Sequence, residues 1–231
     1  MADFFSDKVI EFNRQLDYKG ELPIGFDVIN PYRDNPETFE VMTRFYRKYF
    51  NDTQQRQLIL GINPGRYGAG VTGVPFTDTK LLESVCGIQM KSAYTHEPSA
   101  VFIHEMINAF GGVNSFFHQF YITSLFPLAI VRQTKEGKWL NANYYDDPAL
   151  FRMTEDFMID ALKKQIGFGL DTSRIFILGK KNASFIEKIN KKTQLFDKTI
   201  VLEHPRYIQQ YKSKEKQLYI DKYITELTRH G

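Results

Sequence analysis

Gln57-Leu58-Ile59-Leu60-Gly61-Ile62, followed at once by Asn63-Pro64-Gly65, sets the reading of the whole chain. An aliphatic run about six residues long that is closed by Pro and Gly reads as a strand buried on both faces, since a helix needs ten or more residues. Residues 117–125, 174–178 and 198–202 share that character. Around these runs lie helically spaced segments at 7–16, 36–49, 99–110, 154–166, 180–191 and 213–228. Strands alternating with helices predict an α/β fold of three layers, α/β/α, with a central, mainly parallel four-stranded sheet. No repeat, low-complexity tract or composition break marks a linker. Residues 1–231, 42% hydrophobic and 15% aromatic, therefore read as a single domain able to bury one substantial core. The longer loops fall at 63–78 and 132–148, and in such sheets functional loops sit at the carboxyl ends of strands.

Composition removes several classes of function. The first residues, Met-Ala-Asp-Phe-Phe-Ser-Asp-Lys, are acidic where a secretory signal would be basic. No stretch of about 18 apolar residues offers a membrane span. The expectation is a soluble, intracellular (cytoplasmic) protein. The one cysteine, Cys86, excludes an internal disulfide and any four-thiolate zinc or iron–sulfur site. The net charge of +3 is uneven: residues 171–231 carry 13 Lys+Arg against 7 Asp+Glu, a local +6. Such an excess suits contacts to nucleic-acid phosphates, although solvated lysines on helix faces produce the same count.

Two motifs carry the candidate chemistry. The first runs from Gly61-Ile62-Asn63-Pro64-Gly65 through Thr72-Gly73-Val74-Pro75-Phe76, with glycines at 65, 68, 70 and 73. So much glycine lets backbone approach a ligand and present its N–H groups, while Asn-Pro-Gly by itself also reads as a turn that ends a strand. The second is Leu202-Glu203-His204-Pro205-Arg206-Tyr207, after the last strand. If that strand end lies beside the first, His204 converges on Asn63. A lone histidine is more often structural, and His96, His104, His118 and His230 lack a comparable setting.

Taken together, and with Leu125-Phe126-Pro127-Leu128 between them, these motifs resemble the single-strand-selective monofunctional uracil-DNA glycosylases and their bacterial relatives in the uracil-DNA glycosylase superfamily. The resemblance covers roughly residues 57–225. It implies a monofunctional DNA glycosylase that hydrolyses the N-glycosidic bond of uracil or a related deaminated base in base excision repair. It further implies that Asn63 positions water and that His204 stabilises the charge building on the leaving base. The resemblance also implies that Phe76 stacks on the flipped base, that Ile62, Gly65 and Ser124 complete the base pocket, and that Arg206, Tyr207, Tyr211 and Lys212 meet DNA in the place of the wedge loop. The implied partner is DNA with a damaged base, single or double stranded. No cofactor, metal, membrane or obligate protein partner is expected.

Two departures stand out. Ser124 replaces the asparagine that reads the base edge in those enzymes, and the loop after His204 is shorter. A hydroxyl makes fewer and less directional bonds than an amide, so base choice is expected to be altered or broadened. Neither motif contains a lysine, which points to hydrolysis and away from Schiff-base lyase chemistry. The competing readings are a catalytically silent nucleic-acid-binding paralogue of the same fold and, well behind it, a nucleotide-binding α/β domain, for which the Lys-Ser/Thr of a P-loop is missing.

Overall fold

The computed structural model describes residues 3–229. Along the chain run α1 (Phe5–Gln15), β1 (Phe26–Ile29), α2 (Pro31–Asp34), α3 (Pro36–Tyr49), β2 (Arg56–Gly61), α4 (Ala69–Thr72), α5 (Thr79–Ser84) and α6 (Pro98–Ala109). They are followed by α7 (Gly112–Gln119), β3 (Phe120–Ser124), β4 (Ala129–Gln133), β5 (Trp139–Ala142), α8 (Pro148–Ile166), β6 (Leu170–Leu178), α9 (Lys180–Thr193), β7 (Lys198–Leu202), α10 (Pro205–Tyr211), a 3-10 turn (Ser213–Glu215) and α11 (Lys216–Thr228).

The expected four-stranded parallel sheet is present, in the order β3-β2-β6-β7. Every residue of β3, and every residue of β2 but Gln57, is buried. Because successive side chains point to opposite faces, both faces must be covered, and helices cover them. Gly61 pairs with Ser124, and Leu178 with Leu202, so the strands finish together along one edge.

Two strand boundaries differ from the sequence reading. Residues 117–119 belong to α7, whose Phe116 stacks at 5.1 Å on Phe120, the first residue of β3. An aromatic-rich helix end reads locally like a strand. β6 starts at Leu170, four positions before 174, because Asp171-Thr172-Ser173 masks its first half.

A second sheet was not anticipated. β1, β4 and β5 form an antiparallel ribbon in the order β1-β4-β5, inside and beside the region read as loop 132–148. Leu125-Phe126-Pro127-Leu128 is the elbow between the sheets: the Leu125 N–H donates to Gly61 O (3.1 Å) and the Phe126 N–H to Ile62 O (3.2 Å). β5 ends at Ala142 and hands the chain back to the carboxyl edge of the parallel sheet.

Helix starts follow side-chain chemistry where it is available. Asn35 before Pro36 and Asp147 before Pro148 accept from the first free N–H groups of α3 and α8. α1 has no such cap; its Phe5 and Ser6 N–H groups donate instead to Asp52 O and Phe50 O, which ties the amino end to the approach to β2. No described helix is long and apolar enough to cross a membrane.

Candidate active site

At the carboxyl edge of the parallel sheet lies a cavity of about 710 Å³, within the range of ligand sites. Asn63, after β2, and His204, after β7, both line it. They are not on neighbouring strands, because β6 lies between β2 and β7. What spans the gap is Gly179, directly after β6: its φ is +96°, and a Cβ there would stand 3.3 Å from His204 Cβ and 3.6 Å from Cδ2. Any other residue would be strained and would press on the imidazole.

The Asn63 amide has a determined orientation. Its Nδ2 donates to Ala142 O (3.0 Å) and Pro64 O (3.3 Å), and its Oδ1 accepts from the Tyr144 N–H (3.3 Å). Both amide hydrogens are engaged, so the one remaining capacity is a second lone pair on Oδ1.

His204 is the residue before α10, and its Nδ1 accepts from the Arg206 backbone N–H at 3.1 Å. Since a backbone amide can only donate, the neutral ring carries its proton on Nε2. Burial, reinforced by the Arg206 charge, pushes the imidazole pKa down to about 4. At neutral pH the ring is an uncharged N–H donor.

Phe76 also lines the cavity, with its ring 6.2 Å from that of His204 and tilted by 52°. Its backbone φ of +49° is left-handed, a strained state for a phenylalanine. Ile62 and Gly65 line the same space. Ser124 lies outside the lining set: its Oγ is 3.4 Å, and a Phe76 ring carbon 3.3 Å, from where a Cβ on Gly61 would stand. The strand phase is nonetheless clear. Thr123 lies two residues from Tyr121, on the face that packs against α1 and α3, so Ser124 points the other way, under Gly61 and Phe76.

The segment after His204 is a helix, α10, where a short wedge loop was expected. Pro205 at its first position and the His204 cap explain why. Arg206, Tyr207 and Tyr211 are exposed on it and line the cavity mouth, with Tyr207 and Tyr211 one turn apart at 5.7 Å. Lys212 does not join them; its Nζ pairs with Glu215 at 2.9 Å.

Several lining residues had no part in the sequence reading. Lys180 and Lys181 open α9 at the rim, with the Lys181 Nζ 4.5 Å from the Tyr145 ring centroid. Their position directly after a strand, as with Asn63, was the available signal. Other lysines of the basic carboxyl-terminal quarter are engaged elsewhere, Lys192 with Glu155, Lys216 with Glu105 and Lys222 with Glu203. Glu97, one of 27 acidic residues, gave no signal at all. Its carboxyl lies against the glycine loop, so near that a Cβ on Gly68 would stand 2.0 Å from Oε2. Burial and the neighbouring Asp78 carboxylate push its pKa up to about 7, against the pull of Arg206. No hydrogen bond reaches the carboxyl among the described residues.

Comparison with known proteins bears on the family and the fold. A solved structure described as the crystal structure of wild-type Pedobacter heparinus SMUG2 superposes with a TM-score of 0.95 at 48% identity, covering 97% of each chain. The curated proteins contain no match. The family model for the Uracil DNA glycosylase superfamily matches residues 47–228, from the end of α3 to the end of α11 and through both motifs. The chain belongs to the uracil DNA glycosylase superfamily.

Proposed function

We propose that the protein is a monofunctional DNA glycosylase of base excision repair, which hydrolyses the N-glycosidic bond of uracil or a related deaminated base flipped out of DNA. Breaking this bond leaves negative charge on the base and makes the sugar oxocarbenium-like, so the site must stabilise an anion and deliver water. The observation that carries the reading is the meeting of an oriented Asn63 and an uncharged His204 donor in one cavity. The free lone pair of Asn63 Oδ1 accepts a hydrogen from water and aims the water oxygen at the sugar. An amide is too weak a base to deprotonate water beforehand, and attack on so electrophilic a centre needs placement more than basicity. The Nε2–H of His204 donates to the base oxygen on which charge builds, which needs no proton transfer. Phe76 stacks on the base, an interaction of about 1–3 kcal/mol that is indifferent to base identity. Ile62 and Gly65 border the base, and Ser124 acts from below it. Arg206, Tyr207 and Tyr211 on α10 engage the strand, with Lys180 and Lys181 as further phosphate contacts.

The test is incubation with labelled oligonucleotides that each carry one lesion, read before and after alkali. Strand breaks only after alkali, lost in Asn63→Ala while DNA binding persists, are the expected result. Breaks without alkali would mean lyase chemistry, for which Lys180 and Lys181 would be the first suspects. Binding with no base release would leave the silent paralogue as the better reading.

A further inference from the structure

The amide of Asn63 is held by main-chain groups of residues 142–144, and that segment is itself held at one buried point. Tyr144 is fully buried (0% exposed), and its hydroxyl donates to Asn182 Oδ1 at 2.6 Å. Asn182, also 0% exposed, uses both hydrogens of Nδ2, donating to Leu60 O and Leu178 O at 3.2 Å each. Those carbonyls belong to the last residues of β2 and β6, the strands that lead to Asn63 and Gly179. Asn182 therefore fastens the Tyr144 side chain to the framework from which Asn63 projects. The Tyr144 ring cannot swing away, since it packs edge-on against Tyr145 (4.9 Å) and Phe185 (5.9 Å). Burial raises the phenol pKa, so the hydroxyl stays a donor throughout the physiological range.

From this arrangement we infer that Tyr144 and Asn182 are positioning residues, which fix the Tyr144 N–H and Ala142 carbonyl so that Asn63 keeps one lone pair aimed at water. The inference rests on the reading of Asn63 as the water-positioning residue. The bland alternative is that Asn182 and Tyr144 merely satisfy buried polar groups and support the fold. The two differ in a way that can be measured. A merely structural pair affects the enzyme whatever residue stands at 63. A positioning pair acts only through the Asn63 amide, and its removal is silent once that amide is gone.

The experiment is a double-mutant cycle on the full chain: wild type, Tyr144→Phe, Asn63→Ala and the double variant, each assayed for single-turnover base excision and for DNA affinity. Tyr144→Phe removes one oxygen and keeps the ring. It is expected to lower the excision rate by about 10- to 100-fold, since small misplacements of a reacting group cost on that order, with DNA affinity unchanged. In the Asn63→Ala background the same change is expected to have less than about a twofold effect. Equal fold losses in both backgrounds, or a wild-type rate in Tyr144→Phe, would overturn the inference and leave the role of Asn63 intact. A wild-type rate in Asn63→Ala would overturn both. Should Tyr144→Phe fold poorly, Asn182→Leu takes its place in the same cycle and must show the same dependence on Asn63.

Discussion

Glu97→Gln isolates the one carboxyl in the cavity whose ionisation the fold opposes. The folded protein holds the Glu97 proton to about pH 7, against an ordinary value of 4.5, because burial and Asp78 outweigh the attraction of Arg206. The pKa is raised on folding, so the stability linked to this group is full below about pH 4.5 and is lost as pH rises through about 7. The difference between those values sets a ceiling of about 3 kcal/mol. Water entering the cavity screens part of it, so an effect of about 1–3 kcal/mol is expected at alkaline pH. In a chain of this length each kcal/mol moves Tm by about 2 °C. Glutamine keeps the shape and cannot ionise, so Glu97→Gln is expected to melt about 2 to 6 °C above the wild type near pH 8.5 and within about 1 °C of it near pH 5. His204 and His104, both with pKa values pushed down to about 4, destabilise both proteins alike as pH falls from 6.5 and so cancel in the difference. Tm–pH curves that run parallel for the two proteins would refute the reasoning.

Three further outcomes follow from the site. His204→Gln should cut single-turnover excision by about a hundred- to a thousandfold, as for other donors to a developing anion, and less for bases that leave more easily; because the wild-type ring is already neutral, its rate should show no histidine inflection near pH 6.5. Ser124→Asn, reaching upward beneath Phe76, should change the ratio of uracil to hypoxanthine and xanthine release, whereas Thr123→Asn, facing α1 and α3, should lower Tm and leave that ratio alone; the reverse pattern would mean the strand phase is misread. Replacing Arg206 and Tyr207 together by alanine should slow excision from duplex DNA more than from single strands, because extrusion from a duplex costs a few kcal/mol more; equal losses would reduce both residues to plain phosphate or packing contacts.

The parallel sheet was legible because its strands are buried on both faces and therefore read as short aliphatic runs. β5 was not, for the opposite physical reason: Trp139, Leu140 and Asn141 are exposed on an edge strand, so neither burial nor alternation marks it. Strand order is likewise absent from periodicity, which is why the sequence left open whether the strands before Asn63 and His204 are adjacent; β6 lies between them, with Gly179 at its end against His204. The motif residues Ile62, Asn63, Gly65, Phe76 and His204 could be found because they follow strands and sit among glycine and proline. Glu97 could not, since its setting depends on a contact with Gly68 that is 29 positions away in sequence.

The hairpin that escaped the sequence reading alters how the site is understood. Three side chains at the cavity are fixed by main chain: Asn63 by Ala142 O and the Tyr144 N–H, His204 by the Arg206 N–H, and Phe76 by its own left-handed backbone. Main-chain groups held in place by the fold cannot rotate to follow a mobile substrate, so a site built on them favours one geometry and needs little reorganisation where charge develops. The same construction makes the site depend on a strand that lies outside both sequence motifs. β5 ends at Ala142, whose carbonyl holds the Asn63 amide, and two residues further on the Tyr144 N–H holds its oxygen. Damage to the hairpin should therefore appear as slow chemistry with intact DNA binding, a pattern ordinarily taken to mark a residue in direct contact with the reacting bond.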